Sequence, residues 1–280
     1  MYRSLNPGMI GVDLPFEKLA KLAPQYGYGA VELSPTALVE EYGVAGTQDI
    51  MGQNGLILSS FMLPVSFQWD PSKFEETFPK LEVAAKAAEK LGCHRCSTYI
   101  LNFSDDLPYK ENFENHCRML TECAKVLADH DIRFGLEFVG PKTLAEGHKY
   151  PFIRGLKEML ELCDAIGTGN MGILYDAYHW YTAGLDFSAF DLFRKEEEVV
   201  SVHINDAKKG LPIDECLDGL RYLPGEGGGV DLKGFLQHLK DMHYTGPVIV
   251  EPFSETLKAM NTPEEKLAAV QKAVDSIWVD

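Results

Sequence analysis

Long apolar runs are what this sequence has least of. It holds no uncharged apolar stretch of about 18 residues, the length a membrane helix needs. The opening MYRSLNPGMIGVDL has no apolar core of signal-peptide length. Positive charge is scarce too: 26 Lys and Arg stand against 42 Asp and Glu, a formal net charge of −16. A surface of that sign repels phosphate backbones and argues against general nucleic-acid binding. No G-x-G-x-x-G follows the first predicted strand and no Gly-Lys-Ser/Thr appears in a glycine loop, so neither a dinucleotide fingerprint nor a Walker loop is present. Among six cysteines, Cys93 and Cys96 form a lone C-x-x-C with no second pair at zinc-finger spacing. They read as reduced thiols on or beside a strand. Low-complexity segments, linkers and strict repeats are also missing. These absences predict a soluble cytoplasmic protein with neither membrane nor nucleic acid among its partners, and they are compatible with a homo-oligomer. At 280 residues, 45% of them hydrophobic, the chain is long enough to bury roughly three quarters of its unfolded surface as one domain over 1–280.

What is present is a strand-helix rhythm. Short continuous apolar runs suited to strands buried on both faces occur at 8–13, 30–34, 56–61, 93–100, 132–138, 172–176, 199–204 and 248–251. Amphipathic helical patterns lie between them, at 15–27, 72–92 and 111–130, near 153–166, 186–196 and 231–243, and at 262–277. Pro79 marks either a kink or the true start of the main part of the second. Thr262 and Pro263 form a cap and first turn for the last. This alternation predicts an α/β fold, a (β/α)8 TIM barrel, in preference to a doubly wound open sheet.

Four of the predicted strands end in metal-binding side chains: Glu137, Asp176, His203 and Glu251, at intervals of 39, 27 and 48 residues. In neighbouring parallel strands those ends meet. Buried carboxylates need pairing or a metal to offset desolvation, and three carboxylates with an imidazole suit a divalent cation. His179, three residues after Asp176, is placed to reach the same mouth. Asn205 and Asp206 are candidates to hydrogen-bond the ligands. The glycine-rich LPGEGGGVDL (223–232) needs unusual φ values or a close approach to something. Arg221 just before it is placed to fork onto substrate oxygens. His148, Lys149 and Arg154 read as solvated loop charges, with a substrate lid over 143–155 as the functional alternative. Phe61, Phe67, Trp69, Tyr99 and Trp180 read as core, with a pocket wall as the alternative.

The stretches GLEFVG (135–140), LYDAYHW (174–180), VHINDA (202–207), DGLRYLPGEGGGVDL (218–232) and GPVIVEPF (246–253) resemble the xylose-isomerase-like TIM-barrel superfamily. Among its members they are most similar to inosose isomerases, with EPF also resembling ketose 3-epimerases. The resemblance covers about 132 to 253 and implies one divalent metal, Mn²⁺ foremost, with Co²⁺, Mg²⁺ or Zn²⁺ as alternatives, held by Glu137, Asp176, His203 and Glu251. It implies Glu137 and Glu251 as the acid/base pair, with His179 and Arg221 contacting a small polyol or keto-sugar. The expected reaction is isomerisation or epimerisation by proton transfer beside a carbonyl, through an enediolate that the metal stabilises.

Elimination beside a carbonyl, as in 3-keto-glycoside or dehydroshikimate lyases, uses the same base and metal and is the alternative reading. AP endonucleases of the superfold need three zincs and additional histidines. Neither LSSFMLPVSF (58–67) nor STYILNF (97–103) supplies one. A non-catalytic sugar-binding barrel is disfavoured by the intact ligand set.

Overall fold

The computed structural model describes residues 1–279. Eight parallel strands close into a barrel in chain order: β1 (Tyr2–Leu5), β2 (Ala30–Glu32), β3 (Ile57–Met62), β4 (Arg95–Ile100), β5 (Arg133–Phe138), β6 (Met171–Asp176), β7 (Val199–Ile204) and β8 (Pro247–Val250). β1 seals the ring by pairing with both β2 and β8. The helices that return the chain are α1 (Phe16–Leu22), α2 (Pro35–Asn54), α3 (Pro79–Lys90), α4 (Tyr109–Ala128), α5 (Leu156–Ile166), α6 (Ala177–Thr182), α7 (Leu232–Asp241) and α8 (Pro263–Ile277). Every residue of β6 and β7 is buried, as expected of strands covered on both faces. The helices carry their apolar residues at helical spacing toward that sheet. On α5 these are Leu156, Met159, Leu160, Cys163 and Ile166.

The expected barrel is therefore present, with three local corrections. GMIGVD is not the first strand: Gly8–Ile10 is a 3-10 turn closed by Gly11 at φ 65°. The strand lies upstream at YRSL, where Arg3 and Ser4 break up the apolar run that would announce it. α2 has no clear periodic signal in the sequence, because Gly43, Gly46 and Gly52 interrupt its pattern, and the backbone leaves the helical region at Gly43. Its start still carries ordinary signals, with Ser34 capping Ala37 and Pro35 in the first turn. The 186–196 segment forms only a 3-10 turn, Phe187–Leu192. Pro79 proves to open α3, after a separate turn of helix at Lys73–Thr77. α8 begins with the Thr262 cap, reciprocated by Glu265.

A two-stranded antiparallel ribbon, Phe103–Ser104 with Tyr150–Pro151, joins the loops after β4 and β5. Cys93 and Cys96 are free and buried, and burial pushes the Cys93 thiol up to about 12. No described helix is long and apolar enough to cross a membrane.

Candidate metal centre

Strand register assembles the site. Tyr99 stands opposite Glu137, Asp176 opposite His203, and His203 opposite Ile249, two residues before Glu251. One donor atom each from Glu137, Asp176, His203 and Glu251 lies within 4.8 Å of the others, so the four predicted ligands do converge. His203 Nδ1 approaches Glu251 Oε2 at 3.3 Å and Glu137 Oε1 at 3.5 Å. All but Glu251, whose side chain is 14% exposed, are essentially removed from solvent.

The group lacks enough cations of its own. Arg221 Nη1 donates to Asp176 Oδ2 and Glu251 Oε2, both at 3.0 Å. Glu137 Oε1 and both ring nitrogens of His203 are buried without a hydrogen-bond partner. Burial raises the Glu137 carboxyl to about 8, against the opposing pull of His203. Burial also raises Asp176 against the pull of Arg221. Glu251 goes the other way, to about 2, because His203 and Arg221 together outweigh its burial. Desolvation disfavours a charged His203, yet Glu251 and Glu137 hold its proton well above the usual imidazole range. Without metal, burial favours a proton on Glu137, and the Glu251 and Glu137 carboxylates favour one on His203. A divalent cation would replace those two charges and would find donor atoms that have no partner. The donor set therefore fits such an ion.

The surroundings fix the four candidate side chains. Asp176 caps α6: Oδ1 accepts the Tyr178 and His179 N–H groups, while Asn205 Nδ2 donates to Oδ2 at 3.1 Å. Asn205 thus takes the predicted ligand-supporting role. Asp206 does not. Its carboxylate accepts N–H bonds from Ala207, Gly228, Gly229 and Val230, and so pins the glycine loop. That loop needs glycine because a Cβ at Gly227 or Gly229 would come within 2.3 or 2.6 Å of the Ala207 carbonyl oxygen.

His179 and Arg221 lie together behind the ligands. Gly140 N–H donates to His179 Nδ1 at 3.2 Å, while Nε2 lies 3.3 Å from Arg221 Nη2 and 3.9 Å from Asp218 Oδ1. Burial and the Arg221 charge lower His179 to about 3, so it stays neutral. Arg221 also donates to the Asp218 backbone and carboxylate, and lies 4.8 Å from the ring centres of both Tyr178 and Phe253. Phe253 holds a left-handed backbone, φ 37°, at this point. Asp218, three residues ahead of Arg221, is a contact the sequence analysis did not single out, although it opens the DGLRYLPGEGGGVDL stretch.

A cavity of about 230 Å³ opens over the centre, lined by Glu137, Glu251, His179, Arg221, Trp69 and Tyr99 among others. Of the five aromatics noted in the sequence, Trp69 and Tyr99 wall this mouth, Phe67 lines a neighbouring cavity, and Phe61 and Trp180 are core. From the 143–155 segment only Leu144 reaches the mouth. His148 pairs with Asp105 at 2.9 Å, and Arg154 donates to the Gly140 and Thr182 carbonyls. Arg154 is thus a tether between loops.

Residues 20–277 match the family described as Xylose isomerase-like TIM barrel, and the chain belongs to that family. An inosose isomerase of Halalkalibacterium halodurans is 25% identical over 170 residues, 60% of this chain and 56% of that protein. The chain thus spans little more than half the length of this curated relative. A xylose isomerase domain protein from Alicyclobacillus acidocaldarius superposes with a TM-score of 0.86 at 29% identity, over 99% of this chain and 98% of the other. The IOLI protein, solved with a bound zinc atom, superposes with a TM-score of 0.81 at 19% identity, over 99% and 98% of the two chains. At that identity the likeness is one of fold.

Proposed function

We propose that the chain, acting as one domain, is a divalent-metal-dependent isomerase or epimerase of a keto-sugar: a ketose, an inosose or a related polyol ketone. One observation carries the reading. The buried Glu137 and the partly buried Glu251 approach the same imidazole nitrogen from the ends of different strands, and both face one small polar-floored cavity. Moving a proton between carbons beside a carbonyl needs a base and an acid so disposed. The inosose isomerase relative and the zinc-holding fold neighbour support the same class.

Glu137, Asp176, His203 and Glu251 would hold the ion, with Mn²⁺ as the first candidate and Co²⁺, Mg²⁺ or Zn²⁺ as alternatives. Once bound, the ion supplies Lewis acidity that acidifies a C–H beside a carbonyl. The protein residues do the rest. Glu251 or Glu137 accepts the proton beside the carbonyl, and the carboxylate that has taken it returns it to the neighbouring carbon. Arg221 balances negative charge at the centre, and neutral His179 lines the cavity beside it as a substrate contact. Trp69, Tyr99 and Leu144 keep bulk water from the reacting carbon.

The test is solvent-deuterium exchange. With Mn²⁺ present, deuterium should enter at least one member of a ketose and inosose panel at the carbon beside the carbonyl, without loss of water. Glu251→Gln should lower that exchange by at least about 100-fold while the circular dichroism spectrum persists. An unsaturated product would identify a lyase instead. No turnover across the panel would remove the reading.

A further inference from the structure

Phe67, Trp69 and Phe103 line a cavity of about 370 Å³ that the metal centre does not use. Trp69 is 66% exposed, more than any other large apolar residue described. It is nonetheless held in place: its Nε1–H donates to the Tyr99 hydroxyl at 3.0 Å, and its ring meets Phe103 edge-on with centroids 6.0 Å apart. Phe67 is buried and meets the His116 ring edge-on at 5.8 Å. These contacts make a preformed aromatic wall. The faces of such rings are negative and attract cations.

The polar lining divides into groups the fold uses and groups it leaves free. Asp105 is used: Oδ2 faces His148 Nδ1 at 2.9 Å, and Oδ1 accepts the Lys149 N–H at 3.1 Å. Asn112 is free. It is 5% exposed, lines the cavity, and its side-chain amide makes no hydrogen bond among the described residues. His116 Nδ1 lies 2.8 Å from the Asn112 backbone oxygen, which can only accept, so Nδ1 carries a proton. Burial holds the pKa of this imidazole below its usual value, so the ring is neutral and Nε2 is a bare acceptor. The exposed Asp106 carboxylate on the rim has no partner among the described residues. No Lys or Arg lines the cavity. A carboxylate and an acceptor nitrogen match a ligand that donates N–H groups. The same carboxylate and the aromatic faces favour positive charge, which the lining itself does not supply. An anion would be repelled, and a neutral polyol would leave the Asp106 charge unmatched. A few placed polar groups beside an apolar wall are what orients a small ligand.

We propose that this cavity is an accessory binding site for a primary organic ammonium ion, with its apolar body against Phe67, Trp69 and Phe103 and its N–H groups on His116 Nε2, the Asn112 amide oxygen and the Asp106 carboxylate. The site stands apart from the metal centre and does not depend on the reaction carried out there. The chain's net charge of −16 raises the concentration of such a cation near the surface. A quaternary ammonium ion has no N–H for His116 or Asn112, so the site prefers the primary ion.

The experiment is calorimetric titration of the full chain, in the presence of Mg²⁺, with phenethylammonium beside two isosteres. Phenethyl alcohol lacks the charge, and phenethyltrimethylammonium lacks the N–H groups. The primary ion should bind about tenfold more tightly than the alcohol, and more tightly than the trimethyl ion. Asp106→Asn and Asn112→Leu should each weaken its binding about fivefold or more. Asp218→Asn changes the acidic mouth over the metal centre and should leave the affinity within about twofold. The proposal is overturned if the primary ion binds no more tightly than either isostere, or if its affinity is unchanged in either cavity variant shown by circular dichroism to be folded. It is also overturned if Asp218→Asn removes the binding, which would place the ion at the mouth. Deuterium exchange in a keto-sugar, present or absent, bears on the isomerase reading alone.

Discussion

At the residue scale, the centre is an arrangement of charges that only partly cancel. Arg221 is fully enclosed between Asp176, Glu251 and Asp218. Its ionic state is secured by those carboxylates against its own desolvation. Removing it leaves buried carboxylates facing one another, so Arg221→Met should destabilise the metal-free protein by about 3 kcal/mol in urea unfolding. Added Mn²⁺ should recover much of that loss. The protons on Glu137 and His203 give a second expectation. Both groups have folded pKa values above their unfolded ones. Each therefore stabilises the metal-free fold fully below its unfolded pKa, and that contribution fades as pH rises through the folded value, about 8 for Glu137. Metal must displace the same protons, so its affinity rises over that range. The gap in Tm between Mn²⁺-loaded and chelator-treated protein should widen from pH 6 to pH 8. A gap that narrows would contradict the assignment of these protons.

At the scale of elements, the loops after β6 and β7 brace the strand ends that present Asp176 and His203. Asp206 satisfies four backbone N–H groups, three of them in the glycine loop that follows Arg221. Asp206→Ala should cost at least about 2 kcal/mol and make the 225–229 segment the first site of limited proteolysis. Cleavage there at the wild-type rate would refute the pinning role. The same loops show what the sequence could and could not reveal. Glu137, Asp176, His203 and Glu251 were legible because each closes a short apolar run, and parallel strands bring such ends together. Asp206 was misjudged because a carboxylate beside a ligand histidine looks the same in sequence whether it faces the metal or the loop behind it. β1 was misplaced because YRSL has no apolar run to announce it, while GMIGVD has one and uses it in a turn. α2 was missed because three interior glycines obscure its period, although its Ser34 and Pro35 start was readable. The cavity beside Trp69 depends on the ribbon between Phe103–Ser104 and Tyr150–Pro151, two short strands with no periodic signal.

At the scale of the whole molecule, the barrel converts four separated sequence positions into one buried polyvalent site, and its closure by β1 between β2 and β8 leaves no free sheet edge. The excess of negative charge over the chain suits a protein that concentrates a cation and turns away phosphate. The central claim is that Glu137, Asp176, His203 and Glu251 hold a single divalent ion. It is tested most directly by crystals grown with Mn²⁺, with data collected to give an anomalous difference map. The account predicts one dominant peak among those four side chains, within bonding distance of a donor atom from each. A map with no peak there, or with its dominant peak at other residues, would contradict it.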